Sequence, residues 1–412
     1  MTLPPAFKHR RFIMLWLGLF ISVTGSSMQL WSLFWHISTL SPDPIAVSGV
    51  GAARILPVVI FALIGGVVAD LYDRRKVMFL TQISLAGIAM LLAVLTMTNS
   101  IQLWHIYLLT ALQATATSFD LPARQALVPN LITNKDDLPS AFSLQSIAFD
   151  LGAIIGPALS GIIIASLGQA YTYLINAISF GAVLIALVLI GKVEQEINPE
   201  ARTRGIWQPD MMREGIRFIF SKPILISTML LDFFATFWSS ANTLLPYVAQ
   251  NVLHVGALQY GWLSAGQSIG AVSVGLVLTQ RTHIRKQGPL LLGAVTLFGL
   301  ATVLFGLSRT FWLTLAALVL IGAGDAVSTI LRNTIRQLAT PDHLRGRMVS
   351  VSQIFFQGGP QLGEIEAGLV AQAFSVPAAI VIGGIGCVLS VGFVAGKWKD
   401  LRTFDRHTVE IT

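Results

Sequence analysis

The 412-residue chain is 54% hydrophobic and only 11% charged, against about 25% charge in a soluble domain, and its mean hydropathy is +0.71. This excludes an ordinary soluble enzyme and points to a polytopic membrane protein. The net charge of +7 would suggest nucleic acid in a soluble protein, but the bases here sit between apolar runs, so topology explains them and no nucleic-acid partner is expected.

The first apolar run, 12–36, follows the bases Lys8, Arg10 and Arg11. It is longer than a signal-peptide core and is read as a retained helix. A spanning helix needs roughly 20 apolar residues, and eleven further segments qualify: 47–69, 77–98, 103–121, 141–166, 170–191, 223–249, 257–279, 288–307, 311–333, 348–373 and 376–396. The runs are continuous rather than alternating, which favours helices over a barrel. Cys387, the single cysteine, lies in the last run, without a partner for a disulfide or a metal site.

With both ends on one side, the segments on that side hold 25 of the 27 Lys and Arg residues; Arg54 and Arg309 are the exceptions. An asymmetry this complete places both termini in the cytoplasm. The hydrophilic stretch 192–222 divides the chain into six-helix bundles at 1–191 and 223–412, the latter ending in a short cytoplasmic tail. The halves echo each other. Gly65, Asp70, Arg75 and Lys76 recur as Gly275, Gln280, Arg285 and Lys286; Arg124-Gln125 with Pro129 recurs as Arg336-Gln337 with Pro341. Parallel six-helix repeats are a transporter architecture.

Between the second and third runs lies GGVVADLYDRRK, with Gly65, Gly66, Asp70, Arg74, Arg75 and Lys76. Twelve helices in two halves with this loop resemble the major facilitator superfamily, whose cytoplasmic signature is a glycine, three residues, an acid and clustered bases. The resemblance departs at Leu71, where a base is usual, and at Asp73, where glycine is common. FDLPARQALVPNLI (119–132) and LGAIIGPALSG (151–161) resemble the branch that includes enterobactin and multidrug exporters. The resemblance implies an all-α fold of two pseudo-symmetric six-helix bundles and a gating role for the loop. Gly152 and Gly156 share one face of the fifth span and Pro157 can kink it. With Gly161 they resemble an exporter motif that, in this superfamily, lies at the interface between the halves.

Ionisable groups inside hydrocarbon are costly and are functional candidates by default. They are Arg54, Asp150, Asp232, Asp325, Glu364 and Glu366. Five acids against one base is an imbalance, and a lone carboxylate in hydrocarbon favours its neutral form, as proton coupling requires. Asp232 has the best context, because Thr228, Asp232, Thr236, Ser239 and Thr243 make one polar stripe. Weaker stripes run along Ser22, Ser26, Gln29, Ser32 and His36, and along Thr110, Gln113, Thr117 and Asp120. The first, fourth and seventh helices line the central cavity in the family it resembles. Glu364 and Glu366 lie about 200° apart on a helix, and Glu364 is the deeper candidate. His36 lies near an outer span end, where a histidine is more often interfacial.

No GxxxxGK[ST] is present, so the chain carries no P-loop for ATP, nor does it contain HExxH or GxSxG. Gly322-Ala323-Gly324-Asp325 matches an intramembrane aspartyl-protease pattern but is better read as a close-packed helix. The expectation is a transporter without cofactor, functional as a monomer in the lipid bilayer and driven by a proton gradient. It exports a drug-like compound or siderophore by antiport; a proton-coupled nutrient importer is the alternative, and a membrane enzyme the remote third.

Overall fold

A computed structural model of the chain describes residues 4–195, 217–279, 286–341 and 345–405. Gln280 and Arg285 lie outside these residues, and Asp70 lies outside the described side chains. Among the described residues there is no strand, and the long helices are α1 (Arg10–Leu40), α2 (Ser48–Leu71), α3 (Arg74–Met97), α4 (Leu103–Asn130), α5 (Leu138–Ser166), α6 (Gln169–Ile190), α7 (Pro223–Trp238), α8 (Ala257–Thr279), α9 (Gln287–Leu307), α10 (Phe311–Leu338), α11 (Arg345–Ala373) and α12 (Val376–Lys397). A short helix, Lys399–Thr403, follows α12. Among the described residues, ten segments are long and apolar enough to cross a membrane. The other two long helices, α4 and α11, carry more polar side chains, among them Gln113, Asp120 and Arg124 on α4 and Gln361, Glu364 and Glu366 on α11.

Local chemistry sets several helix starts. The Asp73 carboxylate accepts from the backbone N–H groups of Arg75 and Lys76 and caps α3; the Ser375 hydroxyl accepts from Ala378 N–H and caps α12. A proline occupies the first turn of α5, α7 and α12, where its missing N–H costs nothing.

Two compact units result. The first is Met1–Leu40 with Ala53–Trp207, and the second is Ser41–Ala52 with Gln208–Thr412. In the first, α1 packs on α5 and α6, and α3 on α4 and α6. In the second the same pattern recurs six helices on: α7 on α11 and α12, and α9 on α10 and α12. The first core gathers Phe12, Leu15 and Leu19 of α1, Met78 of α3, Leu127 of α4 and Leu187 of α6. The segment Ser41–Ala52 joins the second unit, where Tyr247 Oη donates to the carbonyls of Ser41 and Asp43 at 3.1 and 3.0 Å and Ser48 Oγ donates to Ile365 O at 3.0 Å.

Three boundaries differ from the apolar runs. α4 continues to Asn130 and α10 to Leu338, so Arg124 and Arg336 are helical and buried rather than in loops, and Arg332, at the edge of its run, is buried as well. The expected continuous span 223–249 is broken: α7 ends at Trp238, a 3₁₀ turn covers Ser240–Leu244, one helical turn covers Leu245–Tyr247, and a π-helical turn covers Val248–Val252. Pro246 has no N–H for a helical bond, and the side chains before it compete for backbone. Ser240 Oγ donates to Thr236 O at 2.7 Å and Thr243 Oγ1 to Ser240 O at 3.1 Å.

Close helix approach depends on particular glycines. A Cβ at Gly65 would collide with the Ser118 carbonyl of α4, whereas one at Gly66 would meet nothing within 4 Å. Gly65→Ala is therefore expected to destabilise the protein by about 1–3 kcal/mol through overpacking, while Gly66→Ala leaves it neutral or slightly more stable. Thermal unfolding in detergent measures both, and equal midpoints would remove the close α2–α4 approach as a constraint.

Candidate functional site

Buried charge concentrates where α7, α10 and α11 meet. Asp232, at the third turn of α7, has a side chain only 1% exposed. Arg332 Nη1 lies 3.0 Å from its Oδ1 and Arg336 Nη2 lies 3.2 Å from its Oδ2. Arg336 ties three helices together. Its Nη2 donates to Thr228 O at 3.1 Å, its Nε to Thr228 Oγ1 at 3.4 Å and its Nη1 to Ser352 Oγ on α11 at 2.8 Å. Arg332 Nη2 donates to Thr329 Oγ1 at 2.8 Å and lies 3.6 Å from Asp325 Oδ1. The Asp325 side chain is 50% exposed. A chain of alternating charge thus runs from a sealed carboxylate, through a buried guanidinium, to an open carboxylate.

This corrects the expected imbalance of five acids against one base. Asp232 is not a lone carboxylate, because two guanidiniums assigned to a loop are carried inside by the extended α10. A sequence signal for them exists: Asp325, Thr329, Arg332 and Arg336 recur at spacings of four, three and four on one helix face. Reading the apolar run as the limit of the helix hid it.

The stripe on α7 is brought together only in part. Thr228 bonds Arg336, but Thr236 Oγ1 donates back to Asp232 O at 2.8 Å and lies against Gly359 of α11. Beyond Trp238 the helical register ends, so Ser239 and Thr243 no longer belong to that stripe.

In the first unit, Gln29 of α1 donates to Gln113 Oε1 of α4 at 3.0 Å and accepts from Asn176 Nδ2 of α6 at 2.7 Å. Ser32 accepts from Thr172 at 2.6 Å, and His36 pairs with Tyr173 Oη at 3.0 Å. His36 is therefore buried rather than interfacial, and the α1 stripe is occupied by neighbouring helices. Asn176 and Thr172 are partners that the α1 and α4 patterns alone do not reveal. Asp120 of α4 accepts from Thr81 Oγ1 and Gln82 Nε2 of α3 at 2.8 and 2.9 Å and lies 3.9 Å from Arg124 Nη1. The Arg124 guanidinium stacks 4.8 Å above the Phe149 ring.

The remaining candidates are dispersed. Asp150 is exposed on α5. Glu364 is buried on α11 beside Gly51, whose added Cβ would come within 3.2 Å of Glu364 Oε2. Glu366 and Arg54 are half-buried. Among the described residues no group of three His, Cys, Asp or Glu side chains is placed to hold a metal ion.

The loop residues act as a splice between helix ends. Arg74 Nη1 donates to Ala126 O at 3.1 Å and to Asn130 Oδ1 at 2.7 Å, both on α4, and its Nε donates to Ala69 O at 3.3 Å. Arg75 Nε donates to Leu187 O of α6 at 2.6 Å. Lys76 contributes its backbone N–H to the Asp73 cap. Pro157 and Gly161 are buried in α5, and its glycine face packs on α1. A Cβ at Gly156 would come within 2.8 Å of Met28 N, and one at Gly152 within 3.2 Å of Thr24 N. These two glycines therefore close a seam inside the first unit. Gly322 and Gly324 of α10 likewise lie against Gln267 O of α8 and Ala294 O of α9, as a close-packed helix requires.

Against known proteins, the family model described as transmembrane secretion effector matches residues 2–410. The enterobactin exporter EntS of Citrobacter koseri is 28% identical over 79% of this chain and 77% of its own length. The multidrug efflux pump Tap of Mycolicibacterium fortuitum is 26% identical over 92% of this chain and 94% of its own. Among solved structures, a bacterial homologue of the human lysosomal transporter Spinster, inward-facing and unoccupied, superposes with TM-score 0.70 at 14% identity, covering 98% of this chain and 97% of that one. The nucleoside transporter NupG superposes with TM-score 0.71 at 13% identity, covering 94% and 99%.

Removing Asp232 leaves two guanidiniums facing each other in a dry site. Asp232→Asn should destabilise the protein by about 3–5 kcal/mol, and adding Arg336→Gln should recover part of the loss, since Arg332 retains Asp325. Thermal unfolding of these proteins and of Arg336→Gln alone checks this; additive losses would mean the groups are not coupled.

Proposed function

Given that the chain belongs to the transmembrane secretion effector family, within the major facilitator superfamily, we propose that it exports a small molecule from the cytoplasm by proton antiport, with alternating access to a central site. The chain is a multi-pass membrane transporter. The charge asymmetry of the loops supports a cell-membrane protein with both termini in the cytoplasm. The proton gradient supplies the energy, with no cofactor, and one chain suffices for transport.

The observation that carries this reading is the Asp232–Arg332–Asp325 chain. An antiporter needs a group for which proton and cargo compete. Asp325 meets that need, because it is half-exposed and its contact to Arg332 is long. A proton or a cationic group of the cargo occupies the carboxylate in turn. Arg332 keeps its contact with Asp232 throughout, a carboxylate it shares with Arg336, so the network carries one net positive charge only while Asp325 is protonated. Asp232 then serves as the fixed anchor and Asp325 as the exchanging group. Moving one charge through 100 mV is worth about 2.3 kcal/mol, enough for a cargo ratio of roughly 50-fold.

The relatives' names, a siderophore exporter and a multidrug pump, support a cargo larger than a simple ion. The exposed carboxylate favours a cationic or amphipathic drug-like compound, and a siderophore belongs in the same test. Everted vesicles with an acidic lumen and a pH-sensitive dye provide it. A cargo should discharge the gradient with wild type, and Asp325→Asn should lower that rate at least about 10-fold, a barrier change of about 1.4 kcal/mol. Undiminished proton release by Asp325→Asn would overturn the assignment, and cargo uptake into right-side-out vesicles on acidifying the outside would overturn export.

A further inference from the structure

On the surface of the second unit, α7 and α12 enclose a groove of about 410 Å³ lined by Phe234, Trp238, Ile382, Ile385, Gly386, Leu389, Ser390 and Phe393. It exists because Gly386 has no side chain. A Cβ there would lie 2.6 Å from the Trp238 ring, and Trp238 forms the opposite wall. The groove takes no part in the charged site, and all but Ser390 of its side chains are apolar.

Two features distinguish it from a plain lipid-facing surface. From Ile382 to Phe393 it runs roughly 16 Å at about 1.5 Å per residue, close to the roughly 15 Å depth of one leaflet's hydrocarbon. A cation stands at its lower mouth. Lys397 Nζ lies 5.6 Å from the centroid of Phe393, itself a groove wall, and 4.8 Å from that of Trp398. Trp398 is anchored against the cluster containing Ile219, Leu225 and Met229, and tryptophan is favoured at the headgroup level. Lys222 heads α7, and Lys399 and Arg402 lie on the short helix that packs against α7; Asp400 is the acid on that helix. The local balance is positive.

We propose that this groove binds one acyl chain of an anionic phospholipid, whose phosphate lies against Lys397. The lipid belongs to the leaflet that the α12 C-terminus faces, the cytoplasmic one in the orientation proposed above. Binding does not depend on the transport reading, since neither the groove nor Lys397 touches Asp232, Arg332 or Asp325. Basic pockets between spanning helices on the cytoplasmic side are a general headgroup-binding device.

The test is native mass spectrometry of the detergent-purified full chain, titrated with phosphatidylglycerol or phosphatidylcholine carrying identical acyl chains. Wild type should bind phosphatidylglycerol about 5-fold more tightly, the ratio that one interfacial lysine supplies. Lys397→Gln should abolish the preference by weakening phosphatidylglycerol more than phosphatidylcholine, and Lys397→Arg should keep it. Ser390→Phe, which fills the groove, should weaken both lipids, and Arg309→Gln, in a different turn, should change neither. Equal binding of the two lipids by wild type, or a preference that survives Lys397→Gln, would overturn the headgroup assignment. Displacement by glycerol phosphate alone, or unchanged binding in folded Ser390→Phe, would overturn the acyl groove.

Discussion

A guanidinium buried among helices must be answered by a counter-charge, and that constraint organises the second unit. Arg336 cannot reach water, so α7 presents Asp232 and the Thr228 carbonyl, while α11 presents Ser352. The crossing of the three helices is fixed by where those acceptors must stand. In hydrocarbon a packed apolar surface has no hydrophobic advantage over lipid, so small residues and satisfied polar contacts carry more of the association. Gly359 and Gly363, which lie against Phe233, Thr236 and Phe237 on α7, bring α11 close enough for Ser352 to take part.

The repeat shows how one scaffold supports two electrostatic solutions. Arg124 and Arg336 are equivalent, 212 positions apart, and each is buried near the end of its helix. One turn earlier, the first unit has Asp120 where the second has Arg332. In the first unit the arginine's counter-charge therefore lies on its own helix, and Thr81 and Gln82 complete the shell around a neutral pair. In the second unit that position is a second cation, and balance has to come from elsewhere: Asp232 from α7 and Asp325 from two turns further back on α10. The substitution at one repeat position converts a local ion pair into a network across helices with an exposed end. The first unit's other polar groups, Gln29, Gln113 and Asn176, are neutral and satisfy one another.

The architecture was legible because the bilayer imposes it: each helix needs an apolar run, and bases avoid the far side. The candidate acids were legible for the same reason, as charges inside those runs. What stayed hidden was their partners. A helix does not stop where its apolar run stops, since its backbone bonds continue for as long as nothing breaks them. Arg332 stood at the very end of a run and Arg336 just past it, and both counted as loop bases, although their spacing to Asp325 and Thr329 was helical. Asp232 then looked isolated. The break after Trp238 was hidden for a related reason. Hydropathy registers Ser240 to Thr243 as tolerably apolar surroundings, whereas the decisive facts are Pro246 and the hydroxyls that bond backbone carbonyls.

The basic loop follows the same logic at a helix end rather than within a span. The last carbonyls of a helix have no partner of their own. Arg74 and Arg75 supply donors to Ala69 of α2, Ala126 of α4 and Leu187 of α6, and Asp73 supplies an acceptor to the start of α3. Gln195 returns from beyond α6 to accept from Arg74 N and donate to Tyr72 O. Four helix ends are thus joined through one short loop. The acid where glycine is common in the family it resembles is explained by this role, because Asp73 caps a helix whose N-terminal N–H groups would otherwise be unsatisfied. A loop whose cations are committed to helix ends moves only with those helices, so its rearrangement during transport requires the ends of α2, α3, α4 and α6 to shift as one body.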